Sequence, residues 1–316
     1  MLHLCSSLSG AVEKTFLEAF GREERLIMLS GASADPLSAA VSRSFPERVL
    51  SVDGGEPALV LTSAGLALEG FLPLVGLDAP CLVTRAYDEI RTAVALPSLP
   101  VLLLGSGGGL FRGDLGAPGQ VVEDLALMRA LPEMRIFVPS DLPVLAEILA
   151  WRHDGPVYLR WGGFSVEARA HEGTSPREDL LAGGRIRRPG TAVTVCTYGV
   201  LVREALRAAE ILASQGIDAE VIECLSFKPL PESLILASGR RTGCCVVVEE
   251  HVAEGGLGSA VAELMGRCYP VPILSVSLES HFGQSGTEEE LREYYALTRQ
   301  HMVGAAVQAW SMRRGS

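Results

Sequence analysis

Short apolar runs alternate with stretches of helical periodicity over almost the whole chain, a pattern of α/β units built around a mainly parallel sheet. In the first half, Leu26 to Ser30, Ala79 to Val83, Val101 to Leu104, Arg135 to Val138 and Val157 to Arg160 read as strands. Helices are predicted over Gly10 to Phe20, Glu56 to Leu68, Arg85 to Val94, Val121 to Ala130 and Leu142 to Trp151. The second half repeats the alternation, with strands Ala192 to Tyr198, Ala219 to Glu223, Cys245 to Glu249 and Ile273 to Val276. Its clearest helix, Leu201 to Ser214, carries a broad apolar face and stops at Gly216. Thr287 followed by Glu290 is a capping box that starts a later helix. Between the halves, 166–190 is polar and without period, so it reads as a linker or meandering crossover. The expected organisation is therefore two α/β domains, 1–165 and 191–312, each a mainly parallel sheet flanked by helices. A length of 316 residues agrees with two domains.

Composition narrows the function. With 27 basic and 38 acidic side chains the net charge is −11, and no block of Lys or Arg is present, so no nucleic acid or anionic membrane surface is expected as a partner. The most apolar stretches, Ala58 to Leu77 and Ala93 to Leu110, are broken by Glu69, Pro73, Pro97 and Pro100, so both read as buried elements and not as membrane spans. Met1 to Cys5 lacks the basic region of a signal peptide, and seven cysteines in apolar surroundings suit reduced thiols, so a cytoplasmic location is expected. No CxxC or HxxxH spacing occurs, and no metal site is expected in this chain.

Three features stand out as candidate chemistry. Glu56 follows Gly54 and Gly55 and precedes Pro57, a residue suited to a first helical turn. Its carboxylate, held against a helix that is apolar on all sides and so expected to be buried, is either a proton-transfer group or an acid that satisfies the helix dipole. The run Gly105 to Gly109 follows a strand but fails the dinucleotide fingerprint, since Leu110 stands where the third glycine belongs. It reads either as a substrate-facing loop or as a plain turn. His251, beside Glu249 and Glu250, is either a satisfied histidine or a catalytic one.

Read in order, these segments resemble the C-terminal half of transketolase, its pyrimidine-binding domain followed by its C-terminal domain. The resemblance rests on Phe45-Pro-Glu-Arg48, Gly55-Glu56 leading into Ala64-Gly-Leu-Ala67, Arg85-Ala-Tyr-Asp-Glu-Ile-Arg91, Val138-Pro-Ser-Asp141 and Gly155-Pro-Val-Tyr-Leu-Arg160. It continues through Phe227-Lys-Pro-Leu230, Val248-Glu-Glu-His251, Glu254-Gly-Gly-Leu-Gly258 and Ser285-Gly-Thr-Glu-Glu-Glu-Leu291. What it implies is half of a split enzyme dependent on thiamine diphosphate. The family's Gly-Asp-Gly and asparagine site for the diphosphate is missing, so a separate N-terminal subunit would bind the diphosphate and most of the magnesium, in a heterotetramer. Glu56 falls on the family's catalytic glutamate, whose carboxyl hydrogen-bonds a ring nitrogen of the cofactor's pyrimidine and so promotes formation of the ylid. Gly55, Leu82 and Tyr87 are the further expected cofactor contacts, with Leu82 in place of a stacking phenylalanine.

The departures bear on substrate. Gly107 and Gly119 stand where the family has histidines, Leu115 replaces an aspartate, and the arginine that grips a sugar phosphate is replaced by Gly162 or Gly163. Arg112 and Arg160 remain as candidate anion anchors. The resemblance thus implies transfer of a two-carbon ketol or acyl unit to an unusual acceptor, a small molecule or a carrier-bound one, in a biosynthetic setting. Alternatives are the beta subunit of a 2-oxoacid dehydrogenase first component and a non-catalytic, stabilising partner of the true catalytic chain.

Overall fold

The computed structural model describes residues 9–31, 36–151, 153–162 and 175–313. The N-terminal pentapeptide, Gly163, the first part of the expected linker and the last three residues lie outside them.

In chain order the strands are β1 Leu26–Ser30, β2 Val49–Ser51, β3 Leu72–Asp78, β4 Leu102–Ser106, β5 Arg135–Phe137, β6 Val157–Trp161, β7 Gly184–Arg188, β8 Val193–Thr197, β9 Ala219–Cys224, β10 Ser226–Lys228, β11 Cys245–Val248 and β12 Ile273–Val276. Seven form one sheet in the order β10-β5-β6-β4-β3-β1-β2, and five form a second in the order β12-β11-β8-β9-β7. All pairings are parallel except those of β10 with β5 and of β7 with β9. This is the two-domain, mainly parallel α/β architecture that the sequence pattern predicts. Strands β1, β4, β6, β8, β9 and β11 are buried along their whole lengths, as expected of parallel strands covered by helices on both faces.

The period of two decides which core each strand residue joins. Leu26 and Met28 of β1 point to a core built with Val12 and Phe16 of helix Ser9–Arg22 and with Val144, Leu145 and Ile148 of helix Leu142–Ala150. Ile27 and Leu29 point the other way, to a core that includes Leu59 and Val60 of helix Gly55–Leu68. That second core runs on without a break into the C-terminal sheet through Cys196, Ile222 and Val247. A third core, on the far face of that sheet, joins Val193, Val195 and Val246 to helices Val202–Ser214 and Arg299–Met312. The two sheets are thus welded by one shared core, and β10 adds a strand from the second half of the chain to the first sheet.

Several expected elements are corrected. The strand expected over Ala79 to Val83 lies seven residues earlier, at β3, while Cys81–Arg85 coil into one wide helical turn. Pro73 and Gly76 mask the strand in the sequence, yet the pairing of β3 with β4 begins only at Leu74, one residue after Pro73. Helix Gly55–Leu68 is not buried all round: Leu61 and Leu68 are 51% and 72% exposed. Within 166–190, helix Pro176–Ala182 begins at a capping box, in which Ser175 and Glu178 exchange hydrogen bonds, and β7 joins the second sheet. The capping box read at Thr287 is present and opens helix Glu288–Tyr294. Among the described residues, no helix is long and apolar enough to cross a membrane.

Candidate active site

Strands β1 to β4 and β6 run parallel, so the chain leaves β2, β3 and β4 on the same carboxyl edge. Ligands of open α/β sheets bind on that edge, where the strand order reverses. Here the order reverses about β1, which has β2 on one side and β3 on the other.

The loop after β2 must turn sharply into a helix, and two glycines make the turn, Gly54 and Gly55, with φ of 113° and 81°. A Cβ on Gly54 would come within 2.9 Å of Ala58 Cβ, so a side chain is excluded there by space as well as by backbone angle. Glu56 consequently falls in the first turn of helix Gly55–Leu68, with its side chain 20% exposed. Arg85 Nη1 donates to Glu56 Oε1 over 3.2 Å. Arg85 closes the turn that follows β3. In that turn Leu82 and Val83 are buried, while Cys81 is partly exposed. Burial pushes the Cys81 thiol up, and Arg85 pulls against it.

Leu82, expected as a cofactor contact, is not at the surface of this turn. Its side chain has no exposed surface and belongs to the core shared by the two sheets. Of the apolar residues that open the turn, Cys81 is partly exposed, and Thr84 and Arg85 at its end are exposed. Tyr87 is half-buried and spends its hydroxyl on the carbonyl of Leu127, 2.9 Å away, tying this segment to the next helix.

Arg112 and Arg160, expected as anion anchors, are both turned inward. Arg112 lies between Asp78, 3.6 Å from its Nη1, and Asp114, 3.3 Å from its Nε, and Ser106 Oγ also donates to Asp78. Arg160 has Asp124 at 3.0 Å from its Nε, and donates to the Tyr198 hydroxyl and to the Glu250 carbonyl. Burial works against the charge of Arg160, but Asp124 and its other polar neighbours more than compensate and raise its pKa. A small cavity lined by Gly108, Arg160, Gly162, Tyr198 and Glu250 marks this junction between the carboxyl ends of the two sheets.

The glycine run owes its composition to these arginines. A Cβ on Gly105 would stand 2.5 Å from the Tyr158 hydroxyl, one on Gly107 2.8 Å from Arg112 Cγ, one on Gly108 2.6 Å from Arg160 Nε and one on Gly109 2.9 Å from Glu250 Oε2. Gly107 and Gly109 donate to the carbonyls of Trp161 and Val121. The run is a packed turn laid over buried side chains, with its amides directed at protein. Gly119 is sealed in the same way, for its Cβ would fall 2.2 Å from that of Leu115. No larger side chain fits at position 119 unless Leu115 moves.

His251 is a satisfied residue. Its Nε2 accepts from the amide of Ala126 and its Nδ1 faces the Val252 carbonyl at 2.7 Å, while burial lowers its pKa to about 4. Glu249 beside it accepts from the amides of Leu257 and Gly258 at the start of a helix, and burial raises it to about 7. Of the residues marked in the sequence, then, the structure brings Gly55 and Glu56 to an accessible edge and buries Leu82, Arg112 and Arg160. The residue missed there is Arg85, which the sequence marks as the first residue of the family-like stretch Arg85 to Arg91, two positions after the apolar run ending at Val83, and not as a site residue.

Comparison with known proteins finds two family matches, the transketolase pyrimidine binding domain over residues 7–162 and the transketolase C-terminal domain over 182–302. A 6-deoxy-6-sulfo-D-fructose transketolase subunit, SqwH of Clostridium sp. (strain MSTE9), is 35% identical over 301 residues, covering 92% of this chain and 90% of the relative. A 1-deoxy-D-xylulose-5-phosphate synthase of Geobacter sulfurreducens is 32% identical over 98% of this chain, which spans 49% of that enzyme. Among solved structures, a split-gene transketolase described as an inactive beta4 tetramer superimposes with a TM-score of 0.85 at 32% identity, covering 96% of this chain and 98% of the other.

Proposed function

The chain belongs to the transketolase family and corresponds to its C-terminal half, and from that premise we propose that it is the C-terminal subunit of a split, thiamine-diphosphate-dependent transferase of two-carbon units. The observation that carries the reading is Glu56: two left-handed glycines set a reachable carboxylate in a first helical turn, on the edge where this fold binds ligands.

The residues present fit the pyrimidine end of the cofactor. Gly54 and Gly55 offer backbone without side chains, Cys81 offers accessible surface, and Glu56 is in place to hold a proton against a ring nitrogen. The cofactor, when bound, serves as the electron sink for a two-carbon carbanion. The sequence holds no Gly-Asp-Gly for a diphosphate and its magnesium. In this reading the diphosphate and magnesium are bound mainly by an N-terminal partner subunit, with two chains of each kind in the assembly.

The substrate side supports an acceptor unlike a sugar phosphate. Gly119 is closed by Leu115, and Arg112 and Arg160 are committed to carboxylates. That one relative is named for a sulfonated ketose, 6-deoxy-6-sulfo-D-fructose, supports this reading. The test is the Glu56→Ala variant mixed with the partner subunit. Two-carbon transfer should be abolished while sedimentation shows the same assembly as the wild type, and substantial residual turnover would refute the role of Glu56.

A further inference from the structure

We propose that Leu115 selects the acceptor of this active site: it forms an apolar wall that favours an uncharged aldehyde bearing an alkyl or aryl group over a hydroxyaldehyde or an aldehyde phosphate. The inference rests on the functional reading above and adds the chemical class of the acceptor.

The carboxyl edge places Leu115 beside the site. Arg85 is hydrogen-bonded to Glu56, and Cys81, at the other end of the same turn, feels the charges of Glu56, Arg85 and Asp78. Asp78 ends β3 and lies 3.6 Å from Arg112, which in turn lies 3.3 Å from Asp114, the residue before Leu115. The loop that carries Leu115 follows β4, the strand paired with β3 through Asp78 and Ser106. Leu115 thus ends a row of side chains that begins at Glu56, one strand further along the edge. An acceptor approaching a cofactor held at Glu56 would lie along that row.

The loop is fixed, so the exposure of Leu115 is built in. Its two short turns close through hydrogen bonds from the amide of Leu115 to the Arg112 carbonyl and from that of Gly119 to the Gly116 carbonyl. From the C-terminal domain, the amide of Gly286 donates to the Gly113 carbonyl over 3.1 Å and Ser285 packs on Gly116. Gly119 leaves no space beneath Leu115 into which its side chain could fold. A large apolar side chain is therefore held 51% exposed, and covering it with an apolar group removes that surface from water.

The surroundings disfavour other acceptors. The Asp78 and Asp114 side chains are 32% and 57% exposed and set two carboxylates about the guanidinium of Arg112, so a phosphate here meets surplus negative charge. A hydroxyl laid against Leu115 gives up water and gains no partner. A methylene laid there raises kcat/KM by about tenfold.

The experiment uses the chain assembled with its partner subunit, thiamine diphosphate and magnesium, as wild type, Leu115→Ile, Leu115→Ser and Leu115→Asp. The donors are the 2-oxoacids hydroxypyruvate and pyruvate. The bond between donor carboxylate and carbonyl carbon breaks and carbon dioxide leaves, the carbonyl carbon bonds the aldehyde carbon, and the aldehyde oxygen takes up a proton. The acceptors are propanal, glyceraldehyde and glyceraldehyde 3-phosphate, equal in carbon number. In the wild type and Leu115→Ile, kcat/KM for propanal should exceed that for each of the others at least tenfold. The ratio of propanal to glyceraldehyde should fall at least tenfold in Leu115→Ser and Leu115→Asp. A wild type that prefers either hydroxylated acceptor, or a ratio that both polar variants leave unchanged, overturns the proposal. So does a failure of both polar variants to assemble in sedimentation, because Leu115 would then be covered by a subunit. A wild-type assembly that binds no cofactor or consumes neither donor removes the functional reading, and this inference with it.

Discussion

Glu249 and His251 stand two residues apart in the sequence, and burial moves them in opposite directions. Burial raises Glu249 from the ordinary 4.5 to about 7 and lowers His251 from the ordinary 6.5 to about 4. The folded state holds the glutamate proton longer than the unfolded chain, so its contribution is present below about pH 4.5 and is lost as pH rises toward 7. For the histidine the unfolded chain takes the proton first, so its contribution is present above about pH 6.5 and is lost as pH falls toward 4. Each is of the order of 3 kcal/mol. Burial lowers a second histidine, His153, to about 4 as well, so over the shared window two histidine slopes oppose one glutamate slope. The native chain should therefore gain stability as pH rises from 4.5 to 6.5, and Glu249→Gln should steepen that rise. Denaturant titrations at several pH values check this, and a variant with the same slope as the wild type would contradict it.

At the scale of elements, the sequence shows most where hydrophobic period and local chemistry agree. Strands β1, β4, β6, β8 and β11 and helix Val202–Ser214 lie within a residue or two of their expected limits, because each is a short apolar run or a clean stripe. Strand β3 was misplaced, since its proline and glycine resemble a boundary while the apolar run after it forms a helical turn. The glycine run was visible, but its purpose was not: only the fold brings Tyr158, Arg112, Arg160 and Glu250 beneath it. Glu56 was legible through the two glycines and the proline around it. The burial of Arg112 and Arg160 was not, because it depends on Asp78, Tyr198 and Glu250, far away along the chain. The packed reading of the glycine run has a direct consequence. Gly108→Ala should cost about 1–3 kcal/mol of stability through the forced displacement of Arg160, measured by chemical denaturation. A loss below a few tenths would mean that the turn has slack.

For the whole molecule, the shared core and strand β10 join the two halves. Buried polar contacts reinforce the joint: Ser140 and Arg185 both bind Glu223, and Arg185 also reaches Asp141 at 2.6 Å. Such a body is rigid enough to present one edge to a partner. Helix Gly55–Leu68 leads away from Glu56 with Leu61 and Leu68 in solvent, in keeping with a site that another subunit completes. The central claim, that the cofactor site is divided between this chain and a diphosphate-binding subunit, is tested by calorimetric titration of thiamine diphosphate with magnesium. Titrations are made into this chain alone, into its mixture with the partner, and into the same mixture carrying Glu56→Gln. Binding in the wild-type mixture, none to the chain alone, and at least tenfold weaker binding in the variant mixture are the predicted results. Tight binding to the isolated chain, or no binding in the mixture, would contradict the account.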